Sequence, residues 1–256
     1  MCGIVGYTGM RSAWPIILDS LTGLEYRGYD SAGIAVLNDS GQIAVAKSAG
    51  SVGNLSGRFP PLNGRTAIGH TRWATHGPPV NHNAHPHVAC DDSVAVVHNG
   101  IVENHRSLRE ELMRNGHHFR SQTDTEVISH MIEELLREGC TLLVALWQVG
   151  RKLEGPQVIA AMQQHRQAIV ATRIRQAGSL AVIRNGTESI ICSDLSALNT
   201  PTMRAHQSDL RAAFVDEGET VWVTSTGILW MDRFGNLTSD QHQTCLLYTS
   251  PSPRDS

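Results

Sequence analysis

Apolar and polar positions along the chain change period several times, and each change marks an element. Ile4 and Val5 lie between Gly3 and Gly6, a short apolar run that predicts a strand beginning at the first residues. Pro15 reads as a first helical position, and Ile17, Leu18, Leu21 and Leu24, at spacings of one, four and seven, form the apolar face of a helix ending near Gly28. Gly33 to Leu37 and Gln42 to Lys47 flank Asp39-Ser40-Gly41, which predicts a hairpin. Thr66 to Ile68 and Val94 to Val97 predict strands, each running directly into a histidine-containing polar motif. A helix is predicted over His105 to Asn115, stopped by Gly116, which can take the left-handed cap conformation.

Thr123-Asp124-Thr125-Glu126 fits a capping box with Thr123 as N-cap and Glu126 at the third position, ahead of Val127, Ile128, Met131, Ile132, Leu135 and Leu136. Gly139 closes that helix. From there the chain turns to short β-type runs: Val158 to Met162, Ala168 to Thr172, Leu180 to Ile183, Ser189 to Cys192, Ala212 to Val215, Thr220 to Val223 and Ile228 to Met231. Their short connections favour antiparallel pairing. Strands interrupted by a pair of helices, rather than strict alternation, place the chain in the α+β class. Residues 1–240 are expected to form one domain without repeat or interior linker. Cys245 to Ser256 carry no apolar period and resemble translated adapter read-through, so 241–256 are expected to be an unstructured, non-native tail on a chain that naturally continues further.

Composition narrows the partners more than the fold. With 256 residues, 41% apolar, the chain can bury a core, and a disordered or disulfide-only protein is excluded. A net charge of −3 without long runs of one sign lacks the footprint of a nucleic-acid binder, and a small polar substrate fits better. The longest strongly apolar stretch, around Leu142 to Trp147, is far short of the ~20 residues of a membrane helix, so no membrane partner is expected. No basic region followed by an apolar run opens the chain. Cys2, Cys90, Cys140, Cys192 and Cys245 are odd in number and form no C-x-x-C pair, so they read as cytosolic thiols, and a cytoplasmic protein is expected.

Cys2 has an ordinary reading as a small buried hydrophobe. Its position suggests another: removal of Met1 would leave a thiol and a free α-amine on one residue. An amine of pKa about 7.7–8.0 can take the thiol proton directly or through water. Four motifs accompany it: HTRWATHG at 70–77, NAHPH at 83–87, VVHNGIVENH at 96–105 and TDTEV at 123–127. His70, His76, His82, His85, His87 and His98 could hold a metal, but their spacing is irregular, with no H-x-x-x-H or H-E-x-x-H and few nearby carboxylates. No metal and no cofactor are therefore expected. Arg72 could be a surface charge, Asn99-Gly100 a turn, and Asp124 a helix-dipole partner. Together they have a use in attacking a side-chain amide. The Asn99 amide and the Gly100 N–H supply two donors for an oxyanion, each typically worth about 2.7–4 kcal/mol in a transition state. Arg72 and Asp124 offer opposite charges for the α-carboxylate and α-ammonium of an amino acid, which makes the substrate glutamine.

CGIVG at 2–6, EYRGYDSAG at 25–33, HTRWATHG, NAHPH, HNG at 98–100 with ENH following, and TDTEV make the chain resemble the glutaminase domain of the glutamine:fructose-6-phosphate amidotransferase family. Asparagine synthetase and the purine-pathway phosphoribosyl amidotransferase share the leading cysteine but not RWATHG or EYRGYDSAG. The resemblance spans roughly residues 2 to 240. It implies an N-terminal-nucleophile fold, a four-layer αββα sandwich of two antiparallel sheets. It implies Cys2 as nucleophile, Asn99 and Gly100 as oxyanion hole, and glutamine binding by Arg72, Trp73, Thr75, His76, Gly100 and Asp124. A loop carrying Arg27 and Tyr29 is implied to cover the site, and His85 and His87 become structural. The implied partners are L-glutamine and a sugar-isomerase domain that binds fructose 6-phosphate; that domain is absent here, and the isolated domain is expected to be a monomer with weak glutaminase activity. Residues 140 to 187 match loosely: LEGPQVIAAM replaces a more Gly- and Tyr-rich stretch, and Ala177-Gly178-Ser179-Leu180 lacks the usual proline. SDLSAL at 193–198 returns to the pattern. Two other readings predict different behaviour: a histidine-cluster metal hydrolase, indifferent to Cys2→Ala, and a non-catalytic glutamine-binding module.

Overall fold

Three separate groups of buried apolar side chains divide the molecule into four layers in a computed structural model that describes residues 2–204, 211–238 and 245–246. In chain order the strands are β1 (Gly3–Thr8), β2 (Ser31–Leu37), β3 (Ile43–Ala49), β4 (Thr66–Arg72), β5 (His87–Val88), β6 (Val94–Gly100), β7 (Gln157–Gln163) and β8 (Ile169–Ile174). They continue with β9 (Ala181–Asn185), β10 (Glu188–Cys192), β11 (Arg211–Phe214), β12 (Thr220–Val223), β13 (Ile228–Met231), β14 (Leu237–Thr238) and β15 (Cys245–Leu246). The helices are α1 (Ala13–Leu24), α2 (Gly53–Arg58), α3 (His105–Arg114), α4 (Glu126–Arg137), α5 (Leu142–Lys152) and α6 (Pro201–Arg204). One sheet runs β15-β11-β9-β10-β1-β4-β2-β3 and the other β14-β13-β12-β8-β7-β6-β5, with antiparallel pairing throughout.

Helix α1 lays Trp14, Ile17, Leu21 and Leu24 on the outer face of the first sheet, against Val5, Tyr7, Ile34 and Val36. It sits so close that a Cβ on Gly69 of β4 would come within 2.4 Å of Ile17. Ile4, Ala35 and Ile68 fill the space between the sheets with Ala95, Val97, Val158, Ile169 and Val221. On the far side Val96, Ile159 and Val170 meet Val127, Ile128, Leu142 and Leu146 of α4 and α5. The result is the αββα sandwich that the resemblance implied. Strands covered on both faces lose polar alternation, which is why β1 is buried along its whole length.

Some expectations are corrected. Helix α1 starts at Ala13, so Pro15 is its third residue; it still lies in the first turn, where the missing N–H has no helical partner to lose. The helix ends at Leu24, and a single 3₁₀ turn, Glu25–Arg27, carries the chain to Gly28. The capping box does not form: α4 starts at Glu126 with Thr125 before it and no side-chain cap bond. The buried Glu126 carboxylate instead accepts from the Arg120 N–H (2.6 Å), the Ser121 N–H (2.7 Å) and the Ser121 hydroxyl (2.6 Å), fixing the loop that approaches the helix. Thr123 is drawn to His87 Nε2 at 3.0 Å. Gly116 and Gly139 do end their helices, at φ +91° and +89°. The apolar run from Leu142 is helix α5, which sequence reading weighed only as a membrane span, and no helix among the described residues is long and apolar enough to cross one. Within the tail expected to be unstructured, Cys245 and Leu246 pair with Ala212 and Arg211, which corrects that expectation at these two residues; 241–244 and 247–256 lie outside the described residues.

Candidate active site

The central strand of one sheet and an inner strand of the other end at the same cavity. Strand β1, bonded on both sides by β4 and β10, presents Cys2 at its start, while β6 presents Asn99 and Gly100 at its end. Both line a cavity of about 550 Å³ with Arg27, Trp73, Thr75, Glu103, Ser179 and Ser193. The backbone of Cys2 is held: its carbonyl accepts from Asn99 Nδ2 at 3.0 Å and from Arg27 Nε at 3.2 Å. Its Sγ accepts from the Trp73 N–H at 3.2 Å. Burial pushes the thiol pKa up, against the Trp73 N–H and the nearby Arg72 and Arg27, which pull it down. Burial thus favours the neutral thiol over the thiolate.

Behind Asn99 lies an uncharged histidine layer. His70 Nε2 is 3.0 Å from both Asn99 Oδ1 and the His98 carbonyl, and 3.2 Å from His85 Nδ1. The first two are oxygens that can only accept, so Nε2 carries the proton. His70 thereby sets which way the Asn99 amide faces: oxygen toward the histidine, NH2 toward Cys2. His98 is fixed in turn. Its Nε2 meets Gln157 Oε1, and the amide nitrogen of Gln157 donates to the carbonyls of Ile101 (2.7 Å) and Glu154 (2.8 Å). His98 Nδ1 is then left to accept from the Thr125 hydroxyl at 2.9 Å. The Nε2 atoms of His70 and His98 spend their protons on oxygens and have no lone pair for a cation, while His82 lies apart against Gln122. Through these contacts His70 orients Asn99, and Gln157 and Thr125 fix His98.

Burial lowers the pKa of His70 to about 3 and those of His85, His87 and His98 below their ordinary 6.5. A histidine kept neutral when folded binds its proton more readily when unfolded, so its stabilisation is complete above pH ~6.5 and is lost as pH falls toward the folded value. Urea midpoints are expected to fall steeply below pH ~6.5, each such histidine adding up to ~1.4 kcal/mol per pH unit to the slope. A midpoint flat from pH 7 to 4.5 would contradict a neutral buried layer.

Gly100 ends β6 at φ +141°, and a Cβ there would come within 2.3 Å of the Pro156 carbonyl and 2.9 Å of His98 Nε2. Gly100→Ala is expected to cost more than about 1 kcal/mol in denaturant unfolding and to shift the backbone at the end of β6, where it lines the cavity.

Six of the residues singled out in the sequence line the cavity: Cys2, Arg27, Trp73, Thr75, Asn99 and Gly100. Arg72, His76, Asp124 and Tyr29 do not. The buried Arg72 guanidinium donates to the carbonyls of His76, Gly77 and Pro78 and so braces the turn behind Thr75. Asp124 accepts from the Val102 N–H at 2.7 Å and lies 3.9 Å from His76 Nδ1. Tyr29 packs edge-on against Trp73, ring centroids 5.5 Å apart, on the exposed rim. The loop expected to cover the site is fastened at several points. Arg27 pairs with Asp194 at 2.7 Å, Tyr26 donates to the same carboxylate at 2.9 Å, and Asp30 accepts from the Ala74 N–H at 2.7 Å.

Ser193 and Asp194 are the contributors that sequence reading passed over. Ser193 Oγ accepts from the Ile4 N–H at 2.9 Å, and the Ser193 carbonyl accepts from Ser179 Oγ at 2.7 Å. SDLSAL, where the chain returns to the family pattern, carries the signal. The Gln176–Ser179 turn, noted only as divergent, forms another wall.

Two antiparallel sheets between helices, with Cys2 at the start of a strand of one sheet and Asn99 and Gly100 at the end of a strand of the other lining one cavity, fit an amidotransferase-type architecture, and the family model for the glutamine amidotransferase domain matches residues 57–213. The chain belongs to that family. It is 43% identical over 237 residues to glutamine--fructose-6-phosphate aminotransferase [isomerizing] of Thermus thermophilus, covering 92% of this chain and 37% of the relative. The relative of that name in Thermosynechococcus vestitus is 45% identical over 243 residues, again covering 92% and 37%. The chain thus spans a little over a third of the length of these relatives. Among solved structures, glutamine phosphoribosylpyrophosphate amidotransferase from B. subtilis shares the fold at TM-score 0.76 and 24% identity, covering 92% of this chain and 50% of that one.

Proposed function

We propose that this domain hydrolyses the side-chain amide of L-glutamine to glutamate and ammonia through a thioester on Cys2. With Met1 removed, the α-amine of Cys2 takes the thiol proton and the sulfur attacks the amide carbon. The oxyanion that forms accepts hydrogen bonds from Asn99 Nδ2 and the Gly100 N–H. Collapse expels the nitrogen, which leaves as ammonia with the proton held by the α-ammonium, and water then hydrolyses the thioester to glutamate and free thiol. Trp73, Thr75 and Gly100 meet the substrate along the cavity wall. Arg72 exchanges one of its three loop carbonyls for the α-carboxylate, and Asp124, beside His76, takes the α-ammonium. Arg27 and Tyr29 close the rim.

The observation that carries this reading is that Cys2 and an Asn99 amide whose orientation His70 dictates line one cavity, with Asn99 Nδ2 donating to the Cys2 carbonyl at 3.0 Å. The ammonia is destined for fructose 6-phosphate held by a sugar-isomerase domain of a longer protein, as the names of the relatives suggest, and the domain works in the cytoplasm. Alone it is a monomer, which light scattering behind a sizing column checks. The direct test is intact mass after incubation with 6-diazo-5-oxo-L-norleucine, with Met1 removal read from the same spectrum. One adduct, suppressed by glutamine, is expected. A folded, processed domain that takes no adduct would instead be a non-catalytic binding module.

A further inference from the structure

Away from the cavity, four side chains from three places in the sequence bring one ligand atom each to a common point. Cys90 lies in the turn between β5 and β6, His117 just past the glycine that ends α3, and His130 and Glu133 one turn apart on α4. Cys90 Sγ is 3.7 Å from His117 Nδ1 and 3.6 Å from His130 Nδ1. The two Nδ1 atoms are 3.3 Å apart, and Glu133 Oε2 lies 3.1 Å from the first and 3.3 Å from the second. Tetrahedral zinc, with Zn–S about 2.3 Å and Zn–N or Zn–O about 2.0–2.1 Å, sets sulfur and nitrogen about 3.5–3.6 Å apart, and nitrogen and its N or O neighbours about 3.3 Å apart. These five spacings are close to that figure, and all four ligand atoms lie within 4.8 Å of one another.

The surroundings match as well. His117 Nε2 is 3.4 Å from Glu134 Oε1, and His130 Nε2 is 3.7 Å from Glu126 Oε1, so each ring turns Nδ1 to the centre and its other nitrogen to a carboxylate. That is the usual outer support of a metal-bound imidazole. The His118 N–H donates to Cys90 Sγ at 3.3 Å, as backbone amides do to thiolates. Glu133 Oε2 also accepts from the Cys90 N–H at 3.0 Å, and Arg137 holds its other oxygen. The histidine, glutamate and cysteine atoms are buried or half-buried, and His130 Nε2 has no hydrogen-bond partner of ordinary length.

We propose that Cys90, His117, His130 and Glu133 form a structural zinc site. A thiolate and a carboxylate neutralise the divalent charge, and four protein ligands leave no open position for a substrate, which separates this site from catalytic zinc. The ion ties the β5–β6 turn to α4 and to the chain just past α3, and so anchors the segment 117–125 that delivers Thr123 to His87 and Thr125 to His98. The spacings of 27, 13 and 3 residues form no short pattern, so the sequence alone hides the set.

The test uses the whole chain, refolded or purified with zinc and freed of excess metal. About one zinc per chain is expected by mass spectrometry of the metal, with Cys90→Ser and His130→Ala retaining less than about a fifth of that. Cobalt added to the metal-free protein should give the strong visible bands of a tetrahedral ion and a thiolate charge-transfer band in the near ultraviolet. Cys90→Ser should lose the charge-transfer band. A chelator should lower the thermal midpoint of the wild type by several degrees and leave that of Cys90→Ser unmoved. A folded wild-type chain that binds no zinc or cobalt would overturn the site, as would a cobalt spectrum indifferent to Cys90→Ser; either would mean that the four groups are only hydrogen-bonded to one another.

Discussion

Cys2→Ala is expected to reduce glutamate release from glutamine by at least ~10⁴-fold, to the background of the assay, and to abolish labelling by the diazo-ketone analogue. In the proposed reaction the sulfur is the atom that forms the thioester, and no other thiol among the described residues lines the cavity. The same substitution removes little from the fold, because Sγ is half-buried and its one short hydrogen bond comes from the Trp73 N–H. Thermal and denaturant midpoints should therefore stay within about 1 kcal/mol of the wild type. Measuring both on one preparation separates a chemical loss from unfolding. Residual glutaminase activity within tenfold of wild type would refute the thioester.

Asn99→Ala is expected to cost about 10²–10³-fold in kcat with little change in KM, the signature of a donor whose bond strengthens as the oxyanion forms. The argument depends on amide orientation. Asn99 Oδ1 is committed to His70, so Nδ2 is the group that faces Cys2, where it now donates to the Cys2 carbonyl at 3.0 Å. Asn99→Asp tests this more sharply, since it keeps the size and the acceptor for His70 but replaces the donor with a carboxylate oxygen facing the developing charge. Its kcat should fall at least as far as that of Asn99→Ala. A loss confined to KM in both variants would make Asn99 a binding residue rather than an oxyanion donor.

Much of this was legible in the sequence, and the reasons differ by element. The helix ends at Gly116 and Gly139, the 38–42 hairpin and the run of short strands after Val158 were readable because each depends on its own residues: a positive φ, a turn, an alternation. Cys2, Asn99 and Gly100 could be singled out together from their residue types and motifs, and the fold brings all three to one cavity. What the sequence did not show depended on neighbours distant in the chain. Glu126 has the spacing of a capping box, but once buried it satisfies the N–H groups of Arg120 and Ser121 instead. Arg72 and Asp124 have the charges that an amino acid needs, but their contacts with the 76–78 turn and the Val102 N–H could not be read from residue type. The His70–Asn99 contact joins β4 to β6 across two sheets, and Arg27 reaches Asp194 over 167 positions, distances at which periodicity carries no information.

The two sides of the cavity should also answer differently to ionic strength. On the Asn99 side the orienting groups are neutral, buried imidazoles and amides, which dissolved ions neither screen nor reach. On the Arg27 side the Asp194 pair is partly open, with side chains 13% and 30% exposed, and lies within the range over which added salt weakens attraction between charges. A salt titration would therefore move substrate capture at the rim while leaving the chemical step at Asn99 in place, so the domain contains one wall that the medium can tune and one that it cannot.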